Sequence, residues 1–501
     1  STSVSECDRA IEAVERNYVK FMMWNRNFMP ALLQAREAVR SGAVGVPYAI
    51  HVDFYFASDA GPHKGSAKPG DAPIDWLEDQ KEAHATGRDG GVGRIMFDDL
   101  LLTPKASVAE PGTPVASDAR ARDGDPATGW TGQGGKALTV DLGGQRLLGG
   151  AVLDWAAGQG APNYSVELSD DGETWRTAYV TTDGDGGRDP VPLPDSEAAW
   201  LRVLLPEGAP RAKLTEIAIQ PADWAPDLNG FIGSLAKNAP RGTFPRGFTE
   251  QPYWTLVGTD GGANSGLIDE DGSIEVGKGA FSIMPYVVAD GETHGWADVA
   301  ESQSLLDGYL PMPGVTWLGA DWHLETRLVA DETSARLLAR WRLVNEARER
   351  RTLKLVLGVR PFQVNPPAQF LSQQGGISKI SAIDWQDGRL SVTNQRDDGA
   401  DVRMLLPLEQ PDAVATAAFD QGALANPAAL PGGATVRDPH DLASAMMVWE
   451  ADLAPGGAID VPMAIPFEGT AAPVNRAAFD AAVAATAARW KDKLDRITIA
   501  V

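Results

Sequence analysis

From about residue 96 to residue 470 the chain is written in apolar runs of strand length, cut by Gly, Pro and Asp. Residues 138–140, 151–155, 164–168, 200–205 and 217–219 are separated by about 8–11 residues apart from the longer stretch at 169–199, the rhythm of an antiparallel β-sandwich. A larger set follows at 253–257, 273–276, 281–288, 322–328, 336–344 and 353–359, several with clean alternation. Residues 336–342 (RLLARWR) would also suit a helical turn, but the flanking strand patterns favour a sheet. Helical spacing returns over 476–494. At 501 residues the chain exceeds the size of a single core, which levels off near ~250–300 residues. The expected class is therefore mainly β and multidomain. The units are a small α/β segment at 1–95, a β-sandwich of jelly-roll type at 96–222, a linker at 223–245, a large antiparallel β-supersandwich at 246–470, and a C-terminal helix and tail at 471–501.

Within the first sandwich one loop is unusual. Asp123-Gly124-Asp125-Pro126-Ala127-Thr128-Gly129-Trp130 is answered downstream by Val140-Asp141-Leu142-Gly143 and Ser169-Asp170-Asp171-Gly172-Glu173-Thr174-Trp175. On these segments the unit resembles the discoidin (coagulation-factor type C) family, whose members bind sugars or other surface ligands. Asp123, Asp125 and Thr128 share one tight loop, and Glu216 lies on the last strand. Carboxylate and hydroxyl oxygens so gathered suit a hard cation that takes six to eight oxygen ligands. The resemblance implies a structural calcium held by these four residues. The same Asp-Gly-Asp is also ordinary turn chemistry, with aspartates capping backbone N–H groups. A glycan needs an aromatic face and a few polar side chains. Trp130, Gln133, Asn163, Tyr164 and Arg188 are the candidates, although core packing is the favoured role of Trp130 and Tyr164.

The larger β unit resembles the N-terminal β-supersandwich of bacterial glycoside hydrolases and phosphorylases with an (α/α)-barrel catalytic domain. Tyr253-Trp254-Thr255-Leu256-Val257-Gly258, the Gly279-x-Phe281-Ser282 turn and Val359-Arg360-Pro361-Phe362-Gln363-Val364-Asn365-Pro366-Pro367 carry that resemblance, with the helix through Trp490. In that family the acid–base carboxylates sit in the barrel, for which no sequence follows the helix. The expected role is therefore the carbohydrate-binding, non-catalytic portion of a carbohydrate-active protein, with a catalytic domain or partner chain supplying chemistry. The alternative is a glycoside hydrolase using carboxylates on the supersandwich itself, ~5–10 Å apart. Asp260, Asp321, His323 and Glu325 are its weak candidates. Asp321 and His323, two apart, would share a strand face and could orient a general base.

Residues 1–95 resemble the glucose–fructose oxidoreductase and inositol dehydrogenase family through Ser41-Gly42-Ala43-Val44-Gly45, Pro47 and Gly90-Gly91. The glycine-rich dinucleotide fingerprint is absent before Ser5, so no NAD is expected and a sugar oxidoreductase is the least favoured reading. Net charge is −24, from 68 acidic and 44 basic residues. Nucleic acid is excluded as a partner, since phosphate binding needs a concentrated basic face. An oligo- or polysaccharide is the expected partner. The single Cys7 allows no disulfide framework, and no apolar run is long enough to span a membrane. The compartment stays open, with a periplasmic or secreted location favoured over the cytoplasm.

Overall fold

The computed structural model describes residues 112–495, apart from 332, 368–374, 397–398, 425–427, 429 and 470–473. All of these belong to one compact unit, Pro111–Val501. The oxidoreductase-like reading of residues 1–95 lies outside the described residues.

Period-2 alternation decides the first layer pair, because every second side chain of a strand faces the same side. Its strands are β1 (Val115–Ala116), β2 (Trp130–Gly132), β3 (Ala137–Trp155), β4 (Tyr164–Ser169), β5 (Arg176–Thr181), β6 (Arg188–Leu204) and β7 (Ala212–Gln220). They pair antiparallel in the order β2-β7-β3-β6-β4-β5, with β1 on β3. The runs read as separate strands at 138–140 and 151–155 are the two ends of the single strand β3. It stays paired with β6 across two register shifts, after Asp141 and after Leu148. Such bulges bend a strand and let one sheet fold over itself. Leu138, Val140, Leu153, Val166, Leu168, Leu201, Val203 and Leu214, all fully buried, fill the space between the layers. Each contributes about 1.5–3 kcal/mol by leaving water.

The stretch 223–245 is not an open linker. Asp227 caps α1 (Leu228–Asn238) by accepting from the Gly230 N–H at 2.7 Å. Phe231, Ile232 and Ala236 then point into the core of the second sandwich. The helical repeat of Leu228, Phe231, Ile232 and Leu235 was masked by Pro, Gly and Asn on both sides.

The second sandwich packs an eight-stranded sheet against a nine-stranded one. The eight-stranded sheet centres on Ser282–Ala289, Arg351–Arg360 and Ser444–Leu453. The nine-stranded sheet centres on Leu310–Leu318, Trp322–Asp331, Arg336–Asn345 and Ala458–Pro466. Residues 336–345 are a strand, as the flanking pattern favours. Helix α2 (Arg476–Leu494) lies on the far face of the nine-stranded sheet. There Phe479 meets Met312, Val329, Leu338 and Ala464.

Candidate functional site

Glycines and aspartates force the chain between β1 and β2 into tight turns, and those turns gather oxygens. The Thr128 hydroxyl lies 2.8 and 3.0 Å from the two Asp123 carboxylate oxygens. It is 3.1 Å from the carbonyls of both Arg120 and Asp125. Asp123 accepts from the Asp125 N–H at 2.9 Å, and Asp125 accepts from the Ala127 N–H at 2.9 Å. From β7, the Glu216 carboxylate reaches the same loop by accepting from the Gly124 N–H at 3.2 Å. Backbone and Thr128 hydrogen bonds hold the Asp123 carboxyl below its ordinary range. The structure thus brings together all four residues the sequence singled out for a cation. The donor set is oxygen only, which a hard cation prefers. Carboxylates alone do not make a metal centre: among the described residues no three His, Cys, Asp or Glu side chains converge so as to hold an ion.

Further loops gather beside this one. The Lys213 ammonium donates to the Ala127 carbonyl at 2.7 Å, and the Lys213 N–H to the Gln159 carbonyl at 2.9 Å. The loop before β4 meets the loop before β6 where the Gly184 N–H donates to Pro162. The polar candidates sit in or beside these loops. Arg188 is exposed and paired with Asp154 at 3.0 Å. Asn163 is half-buried, with its amide beside the Pro162 and Thr182 carbonyls. Gln133 is exposed in the turn after β2.

The two aromatic candidates point the other way. Trp130 and Tyr164 belong to the sandwich core, and Tyr164 is only 2% exposed. Tyr164 shares its phase with Val166 and Leu168, so strand alternation turns it inward. Neither offers a face to a ligand. Tyr164 instead belongs to a buried polar group that the sequence reading missed. The Asp189 Oδ2 accepts from the Tyr164 hydroxyl at 2.7 Å and from the Trp155 Nε1–H at 2.8 Å. Burial pushes the Asp189 carboxyl up to about 6, against the pull of those two donors. Its phase with Val191 and Leu193 on β6 was the available signal.

On the second sandwich the acidic candidates do not converge. Asp260 pairs with Lys493, Asp321 with Arg351 at 2.9 Å, and His323 Nδ1 with Glu346 at 2.8 Å. Asp321 precedes the strand that begins at Trp322, so the expected strand pairing of Asp321 with His323 does not form. Glu325 is exposed on that strand, 3.9 Å from His323. A denser cluster, unforeseen from the sequence, surrounds Arg246. Its guanidinium meets Asp271 at 2.6 Å, Glu301 at 2.9 Å, and Glu250 and Glu270 at 3.2 Å, and stacks over Trp296. Burial and the neighbouring Asp271 charge raise the Glu301 carboxyl to about 7. The Ile268-Asp269-Glu270-Asp271-Gly272 turn was the only hint of it. With Arg246 saturated by carboxylates, the cluster ties the turn at 246–248 to its neighbours.

Contacts between the two sandwiches include the end of β5 and the loop after it. The Tyr179 hydroxyl donates to Asp420, and the Tyr179 ring stacks on His440 at 4.6 Å and 9°. His440 Nε2 lies 3.2 Å from Asp420 Oδ2. The Asp185 N–H donates to the Asp420 carbonyl at 3.0 Å, and Gln421 donates to Asp183. Gly422, at φ 74°, lets this turn approach: a Cβ there would lie 2.5 Å from the Asp185 carboxylate. The loop that carries Arg188 is thereby pinned from behind.

Comparison with known proteins gives one family match. Residues 105–218 match the family model of the F5/8 type C domain. No curated protein matches the chain. Among solved structures, chitosan-binding module 1 of a chitosanase/glucanase from Paenibacillus sp. IK-5 is 30% identical, covering 21% of this chain and 92% of that one (TM-score 0.19). Module 2 of the same enzyme, in complex with chitotriose, is 25% identical, covering 22% and 95% (TM-score 0.19). The Clostridium perfringens module CpGH89CBM32-5, in complex with GalNAc-β-1,3-galactose, is 18% identical, covering 22% and 94% (TM-score 0.19).

Proposed function

Since residues 105–218 are an F5/8 type C domain, we propose that the chain is the carbohydrate-binding, non-catalytic portion of a carbohydrate-active protein. The single observation that carries this reading is the family match falling on a sandwich whose neighbouring loops gather oxygens and exposed polar side chains. The ligand is an oligosaccharide met by Arg188, Asn163 and Gln133, whose donors and acceptors suit sugar hydroxyls. Calcium would be held by Asp123, Thr128, Glu216 and the carbonyls of Arg120 and Asp125, with Asp125 also bracing the turn. Its part is structural: it would lock the loop against β7. The candidate carboxylates of the second sandwich have separate partners, which favours a supporting role over hydrolysis.

The test is an array of glycans without carboxylates, including chitooligosaccharides and β-1,3-linked galactosides, probed with the full chain with and without calcium. Saturable binding to at least one oligosaccharide is expected, weakened tenfold or more in an Arg188→Ala/Asn163→Ala double variant. Silence across the array would sink the proposal. Release of reducing sugar from a bound glycan would remove its non-catalytic part.

A further inference from the structure

On the nine-stranded sheet, alternation sends one set of side chains into the core and the other toward α2. The outward set is apolar where the helix covers it and charged where coverage ends. At that boundary lies a cleft of about 370 Å³. Val329 and Leu338 line it from the sheet, Phe479 and Val483 from the helix. Above this apolar base stand Arg327, Arg340 and Arg342, with Glu325 and Asp460.

The three guanidinium groups are not equivalent. Arg340 is neutralised: Asp460 accepts from its Nε at 2.7 Å, and Asp480 lies 3.6 Å away. Asp460 is also shared with Arg476. Arg327 donates one N–H to the Met312 carbonyl at 2.9 Å, and burial lowers its pKa. Neither Arg327 nor Arg342 has an ion pair among the described residues, and Arg342 is exposed. Two cations without a carboxylate at ion-pair distance therefore face one cleft, with Glu325 and Asp460 opposite Arg342 in the strand register, in a chain of net charge −24. A half-buried guanidinium left this way is costly unless an anion meets it. The planar fork of arginine matches a carboxylate with two parallel hydrogen bonds.

We propose that this cleft is a second ligand site, distinct from the F5/8 type C loops, for a monosaccharide unit bearing a carboxylate, that is, a uronic acid. The volume falls at the small end of ligand pockets, ~300–1,000 Å³. The carboxylate lies against Arg342 and Arg327. The C–H face of the ring rests on Val483 at the rim, above Val329, Leu338 and Phe479, which sheet and helix already bury. Glu325, exposed at the rim, accepts from ring hydroxyls. Because sheet and helix both contribute walls, an occupied cleft clamps α2 to the sheet.

Titration calorimetry of the full chain with glucuronate, galacturonate, glucose and inorganic phosphate tests the assignment, with hydrogen exchange of α2 as a second readout. Saturable uronate binding is expected, at least tenfold tighter than glucose or phosphate, with added protection around Phe479 and Val483. The exposed Arg342→Gln change should cut uronate affinity at least tenfold while leaving the melting temperature and array binding unchanged. Uronate binding that ignores Arg342→Gln, phosphate binding as tight as uronate, or no uronate binding would each overturn the proposal. Loss of array binding in the Arg188→Ala/Asn163→Ala variant leaves this cleft untouched, so the two proposals fail separately.

Discussion

Asp189 offers the sharpest test of how the first sandwich is held together. The residue is 9% exposed, and its carboxylate receives two hydrogen bonds on one oxygen, from Trp155 and Tyr164. Burial nevertheless wins and raises the folded pKa from 3.8 to about 6. A carboxyl raised in this way favours the folded state fully below its unfolded pKa, and that advantage is lost as pH rises through the folded value. The ionised carboxylate therefore costs the native state about 3 kcal/mol above pH ~6.5, at 1.36 kcal/mol per pKa unit. An Asp189→Asn replacement keeps an acceptor oxygen in place for both donors and removes the charge. Its stability should equal that of the parent near pH 4 and exceed it by about 3 kcal/mol at pH 8, the gap opening between pH ~4 and ~6.5. Urea unfolding followed by hydrogen exchange of the β3 and β6 amides isolates this sandwich from the other. An Asp189→Ala replacement leaves the Trp155 and Tyr164 donors unmatched, at about 1–3 kcal/mol each, at every pH. A pH-independent gap for Asp189→Asn, or a variant less stable at pH 8, would refute the argument that desolvation outweighs the two hydrogen bonds.

Other consequences can be measured with the same chain. If calcium occupies the Asp123 loop at one hundred times its dissociation constant, it adds about 2.7 kcal/mol, so chelation should lower the melting temperature; Asp123→Ala should abolish the chelator effect. At the contact between sandwiches, burial opposes the charge on His440, but Asp420 and the charges of Asp438 and Asp441 raise its pKa. Burial opposes that of Asp420 too, but His440, Thr181 and Tyr179 lower its pKa. The His440 contribution is present below pH ~6.5 and fades above the folded value, while that of Asp420 is present above pH ~4 and fades below it. Proteolysis of the loop around residues 182–188 should therefore be slowest between those limits, and Tyr179→Phe should accelerate it. Arg360 is fully buried and donates to the carbonyls of Thr243 and Leu424 at 2.6 and 2.8 Å. Arg360→Ala strands both acceptors and should cost more than 3 kcal/mol by denaturant midpoint; Arg342→Ala, on the surface, should cost under 0.5 kcal/mol.

Local pattern was enough for much of this protein. The alternation of 322–328 and the helical repeat of 476–494 needed no knowledge of the rest of the chain, because backbone periodicity alone sets which side chains share a face, whereas 336–344 was settled only by its flanking strands. Asp123, Asp125 and Thr128 were legible as one oxygen-rich turn for the same reason, being joined by contacts no more than five residues apart. The core position of Tyr164 was legible in its phase with Val166 and Leu168, although its place beside a loop also kept it among the ligand candidates. Helix α1 was hidden because its evidence is four apolar residues amid turn formers, and burial against the second sandwich stabilises it. The remaining features depend on distant partners. Arg246 finds Glu301 across 55 residues and Tyr179 finds Asp420 across 241. The cleft exists only where α2 stops covering a sheet built from strands far apart in the chain. Sequence by itself determined which faces the periodic strands and the C-terminal helix would bury. Tertiary structure decided which charges met partners and which were left facing a cleft, because Coulombic and hydrogen-bond energies depend on distance in space and not on separation along the chain.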